Sequence, residues 1–256
     1  MSESQTKEAR DRLESIRVGA SRGGINGDNM KYLRVYLLWG DPEIKNAALN
    51  TLEEVMETAL KNSKSTEGTV KSNAKNLITK LQNELVPDLE HMLAQSYANV
   101  KEIKIYDTNT MGAPRLCMVV TSVEVRNPDE CVNCIKALSS LRADSSLPIL
   151  VAFAEASGEG AEKVRIAVAD GVRNFPREEA VKALGKMLSE DGSEAVRTRA
   201  RVSLEQRGDV RAAGYIAQAM VDKKIEWGCG NTSLCNIVEK GVRERSITWE
   251  EMLKLR

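Results

Sequence analysis

The chain has 256 residues, 42% of them hydrophobic. That is enough for a real core, yet no run approaches the ~20 apolar residues that cross a bilayer. Its 37 basic and 37 acidic residues cancel, so no overall field draws it to nucleic acid or an anionic membrane, although a local patch is not excluded. Aromatic residues make up 4% and there are 6 prolines; with Ala, Leu, Val, Lys and Glu plentiful, the mix favours helix over strand. The first residues, rich in Ser, Glu and Lys, have no apolar core of a signal peptide. With five cysteines, an odd number in a chain too large to need staples, a reducing cytoplasm is the expected location.

In chain order, residues 3–18 read as a charged helix with apolar Leu13, Ile16 and Val18, broken by the Gly-rich stretch 21–27. Residues 1–27 are expected to form a mobile lead-in or cap, and residues 28–256 the main domain. A helix follows to Trp39, with Asp28 or Asn29 as cap and Met30, Leu33, Leu37 and Leu38 at helical spacing. Pro42 suits the first turn of the next helix, 42–61. Helices are expected near 69–83 and 87–97, divided by Pro87. Val100, Ile103 and Ile105 alternate with polar residues and suggest a short strand or extended link. The β-branched content of residues 115–125 favours a strand, but the Asn127-Pro128 turn after it fits a helical register, so 114–125 is read as helix and strand is confined to 100–125. A sheet of three strands would count against that assignment. Further helices are placed at 128–141, 145–156, 160–174, 177–189, 193–206, 209–222, 231–243 and 247–255, joined by short connectors that force antiparallel neighbours.

Four segments overlay in one register, starting at Pro42, Pro128, Glu162 and Glu194. Spacings of 86, 34 and 32 residues, the first fitting two irregular repeats, are those of a stacked helical solenoid. Residues 41–52, with Asp41-Pro42, Lys45, Ala47-Ala48 and Leu52, resemble the entry to the second helix of HEAT repeats, and residues 184–207 resemble another. The resemblance implies an all-α superhelix (HEAT/armadillo-like solenoid) of about six irregular helical pairs, with a concave face of second helices that usually binds protein. Three places past each start stand Lys45, Cys131, Arg165 and Arg197. The resemblance implies that basic residues here bond the acidic turn of a neighbouring repeat, and Cys131 interrupts that ladder; contact with a ligand is the other reading of these residues.

Chemistry-bearing constellations are sparse. Cys131 and Cys134 have metal or redox spacing, but they share a helical stripe with Ile135 and Leu138. They read as small core residues rather than half of a four-thiol site with Cys229 and Cys235. His91 is the only histidine, so a Ser–His–Asp relay or a His-based metal site would have to rest on it alone. The pairs among Glu53, Glu54 and Glu57, Glu178/Glu179 and Glu250/Glu251 stand beside basic residues, as solvated faces do. The 21–27 stretch lacks the lysine and hydroxyl of a phosphate loop. No catalytic group, cofactor or metal is assigned.

Two groups are candidates for binding. Arg197, Arg199, Arg201, Arg207 and Arg211 concentrate positive charge, with Arg197 and Arg201 sharing a helix face. Tyr32, Tyr36 and Trp39 form a stripe at i, i+4 and i+7 that either docks residues 3–18 or anchors a partner. The leading function is a non-catalytic scaffold or adaptor holding a protein on the concave face. The alternative is a HEAT-like nucleic-acid-binding protein using the arginines, and a HEAT-like lyase or DNA glycosylase stands third.

Overall fold

The computed structural model describes residues 3–22, 24–95, 97–100 and 123–243, and these form an all-α chain of paired helices with one very small sheet. Two compact units divide it. The first comprises residues 1–96 and 129–146, and the second residues 97–128 and 147–256. The expected helix 247–255 and most of the expected 114–125 lie outside the described residues.

The first unit contains α1 (Glu3–Ser21), α2 (Gly27–Trp39), α3 (Pro42–Asn62), α4 (Gly68–Gln95) and all but the first residue of α5 (Pro128–Leu141). The first helices meet the next but one as well as the next: α1 packs on α2 and α3, and α2 on α3 and α4. Local chemistry sets the starts. Asn26 Oδ1 accepts from the Asn29 amide at 2.7 Å, and Asp41 Oδ1 accepts from Ile44 at 3.0 Å, each satisfying an amide the helix cannot. Pro42 occupies the first turn of α3, where its missing N–H is no loss. On α1 the buried face is Ala9, Leu13, Ile16 and Ala20, while Val18 points outward.

Pro87 does not divide two helices; α4 runs through it. An interior proline costs roughly 3 kcal/mol. The buried stripe Leu77, Leu81, Leu85, Leu89 and Leu93 continues unbroken across it, and burying each leucine contributes about 1.5–3 kcal/mol. Packing therefore outweighs the local break.

The second unit holds α6 (Leu147–Ala152), α7 (Ala161–Val172), α8 (Glu178–Glu190), α9 (Glu194–Arg207), α10 (Ala212–Val221) and α11 (Trp227–Arg243). Here α7 packs on α9 and α9 on α11, while α6 packs on α8 and α8 on α10. Those are two rows of helices, the repeat order that the sequence predicts. Gly208 ends α9 in the left-handed region at φ 67°, donating to Leu204 and Glu205, a conformation that penalises any Cβ. All four overlaid starts lie at or within a residue of a helix start (α3, α5, α7 and α9). The sixth place after each start, Ala48, Cys134, Val168 and Ala200, is buried in every one.

The sheet is a correction. Strand β1 (Tyr97–Val100) pairs antiparallel with β2 (Val123–Val125), which pairs parallel with β3 (Ala156–Ser157). Extended structure is thus not confined to 100–125, and a three-stranded sheet interrupts the helical stack. Residues 123–125 were expected to be helix. Val123 and Val125 are buried and Glu124 is exposed, so period-two burial and β-branching decide the matter. The expected helix 145–156 splits into two 3-10 turns around α6, because residues 156–157 leave to pair with β2.

Candidate protein-binding face

The aromatic stripe of α2 is half covered. Tyr32 and Tyr36 stack with ring centroids 6.1 Å apart and an interplanar angle of 28°. The Arg12 guanidinium of α1 lies 3.8 Å from the Tyr32 ring centre and is held there by Glu8 Oε1 at 2.8 and 3.1 Å. The Glu8 hydrogen bond also raises the Arg12 pKa above its ordinary value, and the guanidinium faces the ring as a cation–π partner. Burial raises the Tyr36 phenol, with Arg12 opposing. One turn on, the cover ends: Trp39 is 81% exposed and Val35 48%. Val35, three residues past Tyr32, completes the stripe and was missed in the sequence because a single valine among aromatics reads as filler.

The basic ladder has carboxylate rungs at two of its four places, Lys45 and Arg165, while Arg197 serves main-chain carbonyls instead. Lys45 reaches Glu130 at 3.0 Å within the first unit. In the second, Arg165 grips Asp191 through Nε at 2.7 Å and Nη2 at 3.2 Å, and its Nη1 donates to the Ala156 carbonyl at 2.7 Å. Arg197 donates to the Asp191 and Gly192 carbonyls at 2.9 and 3.0 Å. Cys131, at the remaining place, is fully buried.

The arginine concentration is internally engaged. Arg199 meets Asp170 at 3.3 Å. Arg201 bonds Glu205 at 3.2 Å and also donates to Ser233. Burial works to raise the Glu205 carboxyl, but donation from Ser233, Asn236 and Arg201 outweighs it and holds the group below its ordinary value. Arg207 ties the connector after α7 by donating to the Arg173, Phe175 and Arg177 carbonyls, and burial lowers its pKa. Arg211 pairs with Asp209. What the sequence presents as a basic patch is a set of struts.

The remaining candidates fall in structural settings. Cys131 and Cys134 are buried, and burial, with Glu130 nearby, pushes the Cys134 thiol up to about 12. Cys229 and Cys235 are exposed. His91 is exposed on α4. The stretch after Ser21 turns back on Gly19 and supplies the Asn26 cap. Glu54 pairs with Arg17 at 2.6 Å and Glu178 with Lys182 at 2.8 Å, while Glu250 and Glu251 lie outside the described residues. Among the described residues, no three His, Cys, Asp or Glu side chains gather as a metal site, and no helix is long and apolar enough to cross a membrane.

No protein-family model matches the chain, and no curated protein does. Among solved structures it is similar to a chain of the complex of CpcE and CpcF of phycocyanin lyase from Nostoc sp. PCC7120. The identity is 16% and the TM-score 0.38, over 94% of this chain and 85% of that chain.

Proposed function

We propose that this chain is a non-catalytic scaffold that holds a partner protein, with the uncovered end of the α2 stripe as an anchor. The observation that carries the reading is Trp39, 81% exposed beside Val35 at 48%, on a helix that buries Met30, Leu33, Leu37 and Leu38. Large aromatic side chains dominate binding energy when a partner buries them, and solvent gives such a cluster no reward. The engagement of Arg201 and Arg207, 15% and 8% exposed, by Glu205 and Asp209 weighs against the nucleic-acid alternative, since a phosphate contact needs cations that are free to exchange counterions. The second-helix row α7, α9 and α11, with charges balanced in place, suits a protein surface and is the proposed location of further contact. Tyr32 and Tyr36 extend the proposed anchor along the same stripe of α2.

The test is site-specific photo-cross-linking in the native cell, with a benzophenone amino acid at position 39 and, as control, at the exposed Gln218. A single protein captured at 39 and absent at 218 is the expected result. Equal labelling at both positions, or none at 39, refutes the anchor. Salt-sensitive duplex binding at sub-micromolar affinity would favour the nucleic-acid reading instead.

A further inference from the structure

The Gly-rich stretch before α2 holds the only Asn-Gly pair of the chain, Asn26-Gly27. An asparagine side chain is open to attack by the backbone nitrogen of the residue that follows it, because the two are held close in one chain. Three conditions decide whether the attack proceeds. The nitrogen must be unhindered, its N–H must be uncommitted, and water must reach the product.

Gly27 offers an unhindered nitrogen, since it has no Cβ and a side chain placed there meets nothing within 4 Å. As the first residue of α2, its amide has no carbonyl one turn behind it to bond within the helix. Asn26 and Gly27 are both exposed. Other asparagines lack one condition or another. The amides after Asn62 and Asn174 donate to the Ala59 and Val172 carbonyls. Asn127 precedes a proline, which has no N–H, and asparagines inside helices are followed by amides bonded in the ladder.

The cap of α2 opposes the attack. Asn26 Oδ1 accepts from the Asn29 amide at 2.7 Å and ψ of Asn26 stands at 166°, so a five-membered ring closes only once that bond opens and ψ rotates. One exposed hydrogen bond shifts a population by about tenfold. The cap therefore slows ring closure without preventing it.

We propose that Asn26 is a site of spontaneous deamidation in the folded protein, and that the reaction resets the cap of α2. The Gly27 nitrogen bonds to Asn26 Cγ and gives its proton to solvent. The Cγ–Nδ2 bond breaks, and Nδ2 takes a proton from solvent and leaves as ammonia. Water then opens the cyclic imide. Opening at Cγ leaves an aspartate, which still caps α2 and whose charge suits a helix N-terminus. Opening at the main-chain carbonyl leaves an isoaspartate, with an extra methylene in the main chain and its carboxylate moved onto Cα. The bonds from the Asn29 and Met30 amides to Asn26 then lose their geometry, and the first turn of α2 is released. This chemistry rests on the Asn-Gly pair and not on what α2 binds.

The test is to incubate the full chain at mildly alkaline pH, folded and in guanidinium chloride, and to follow its peptides by electron-transfer mass spectrometry, which separates aspartate from isoaspartate. In the folded chain, amide loss is expected to concentrate at Asn26 and to give both acids together, at about one tenth of the unfolded rate. Gly27→Ala, whose methyl has open space, is expected to slow the loss by about tenfold or more by crowding the attacking nitrogen. Hydrogen exchange at the Asn29 and Met30 amides is expected to quicken in the purified isoaspartate form and to stay slow in Asn26→Asp. Folded loss more than about a hundredfold slower than unfolded, equal loss at other asparagines, aspartate alone, or an unchanged rate in Gly27→Ala overturns the site. Unchanged exchange in the isoaspartate form overturns its effect on α2.

Discussion

Replacing Asp191 with Ala tests whether the basic ladder holds the second unit together. Asp191 has a side chain 7% exposed and Arg165 one 19% exposed. The substitution leaves a nearly buried guanidinium with a single carbonyl partner, Ala156. Breaking a buried pair in this way costs about 3–5 kcal/mol, and water reaching the remaining exposed edge of Arg165 moves the figure to the lower end. Asp191 Oδ1 also accepts from the Ser193 amide at 2.8 Å, worth about 1 kcal/mol. The expected loss is therefore roughly 3–4 kcal/mol. At an m-value of about 2–3 kcal/mol/M in urea, that moves the unfolding midpoint down by about 1–2 M. Hydrogen exchange across residues 161–207, read against urea, assigns the loss to this unit. The double variant Arg165→Met/Asp191→Ala removes the stranded charge and is expected to recover about 1 kcal/mol or more over Asp191→Ala alone. A single-variant cost below about 1 kcal/mol, or a double variant less stable than both singles, would falsify the view of this rung as structural.

Three further outcomes follow from the same packing. Gly185→Ala gains helix propensity of up to about 1 kcal/mol but drives its methyl into the Tyr215 ring, so a net loss of about 1–2 kcal/mol is expected by urea melt; a stabilised variant would mean that α8 and α10 are not in close contact. A thiol reagent at pH 8 is expected to modify Cys229 and Cys235 within minutes, while Cys131 and Cys134 react only on unfolding, which mass spectrometry of the labelled peptides reads directly. Asp209 is held below its ordinary pKa by its hydrogen bond from Arg211, against the cost of burial. Its stabilisation is present above the unfolded value of about 3.9 and is lost as pH falls through the lower folded value. The stability gap between wild type and Asp209→Asn is thus expected to close below about pH 4 in acid titrations of the urea midpoint.

How much was legible can be argued from particular residues. The repeat register was, because the places six and ten after each start carry apolar side chains, and all of Leu52, Leu138, Val172 and Leu204 are fully buried. The helix start at Pro42 was legible through the proline in its first turn, whereas the cap of α2 was misplaced: Asn26, not Asp28 or Asn29, caps it. The other failures were non-local. Pro87 signals a break whose cost is offset only by leucines that pack elsewhere. Val123 finds its strand partners at Val100 and Ala156, 23 residues before it and 33 after, and no window-sized pattern contains that information.

The arginines show how the same distinction governs function. A sequence count registers five of them in fifteen positions and suggests a site waiting for an anion. In three dimensions Arg207 serves the carbonyls of residues 173–177 and Arg201 serves Glu205, contacts roughly thirty residues away and one helical turn away respectively. Charge reversal at Arg197 or Arg201 is consequently a folding perturbation before it is a binding one, because it strands the carbonyl or carboxylate partners in partly buried surroundings. Loss of any partner in such a variant carries no weight for or against binding through these residues. The useful perturbations are at side chains that the fold does not use. Trp39 meets that condition, and it faces solvent with the aromatic chemistry that a protein partner can take up.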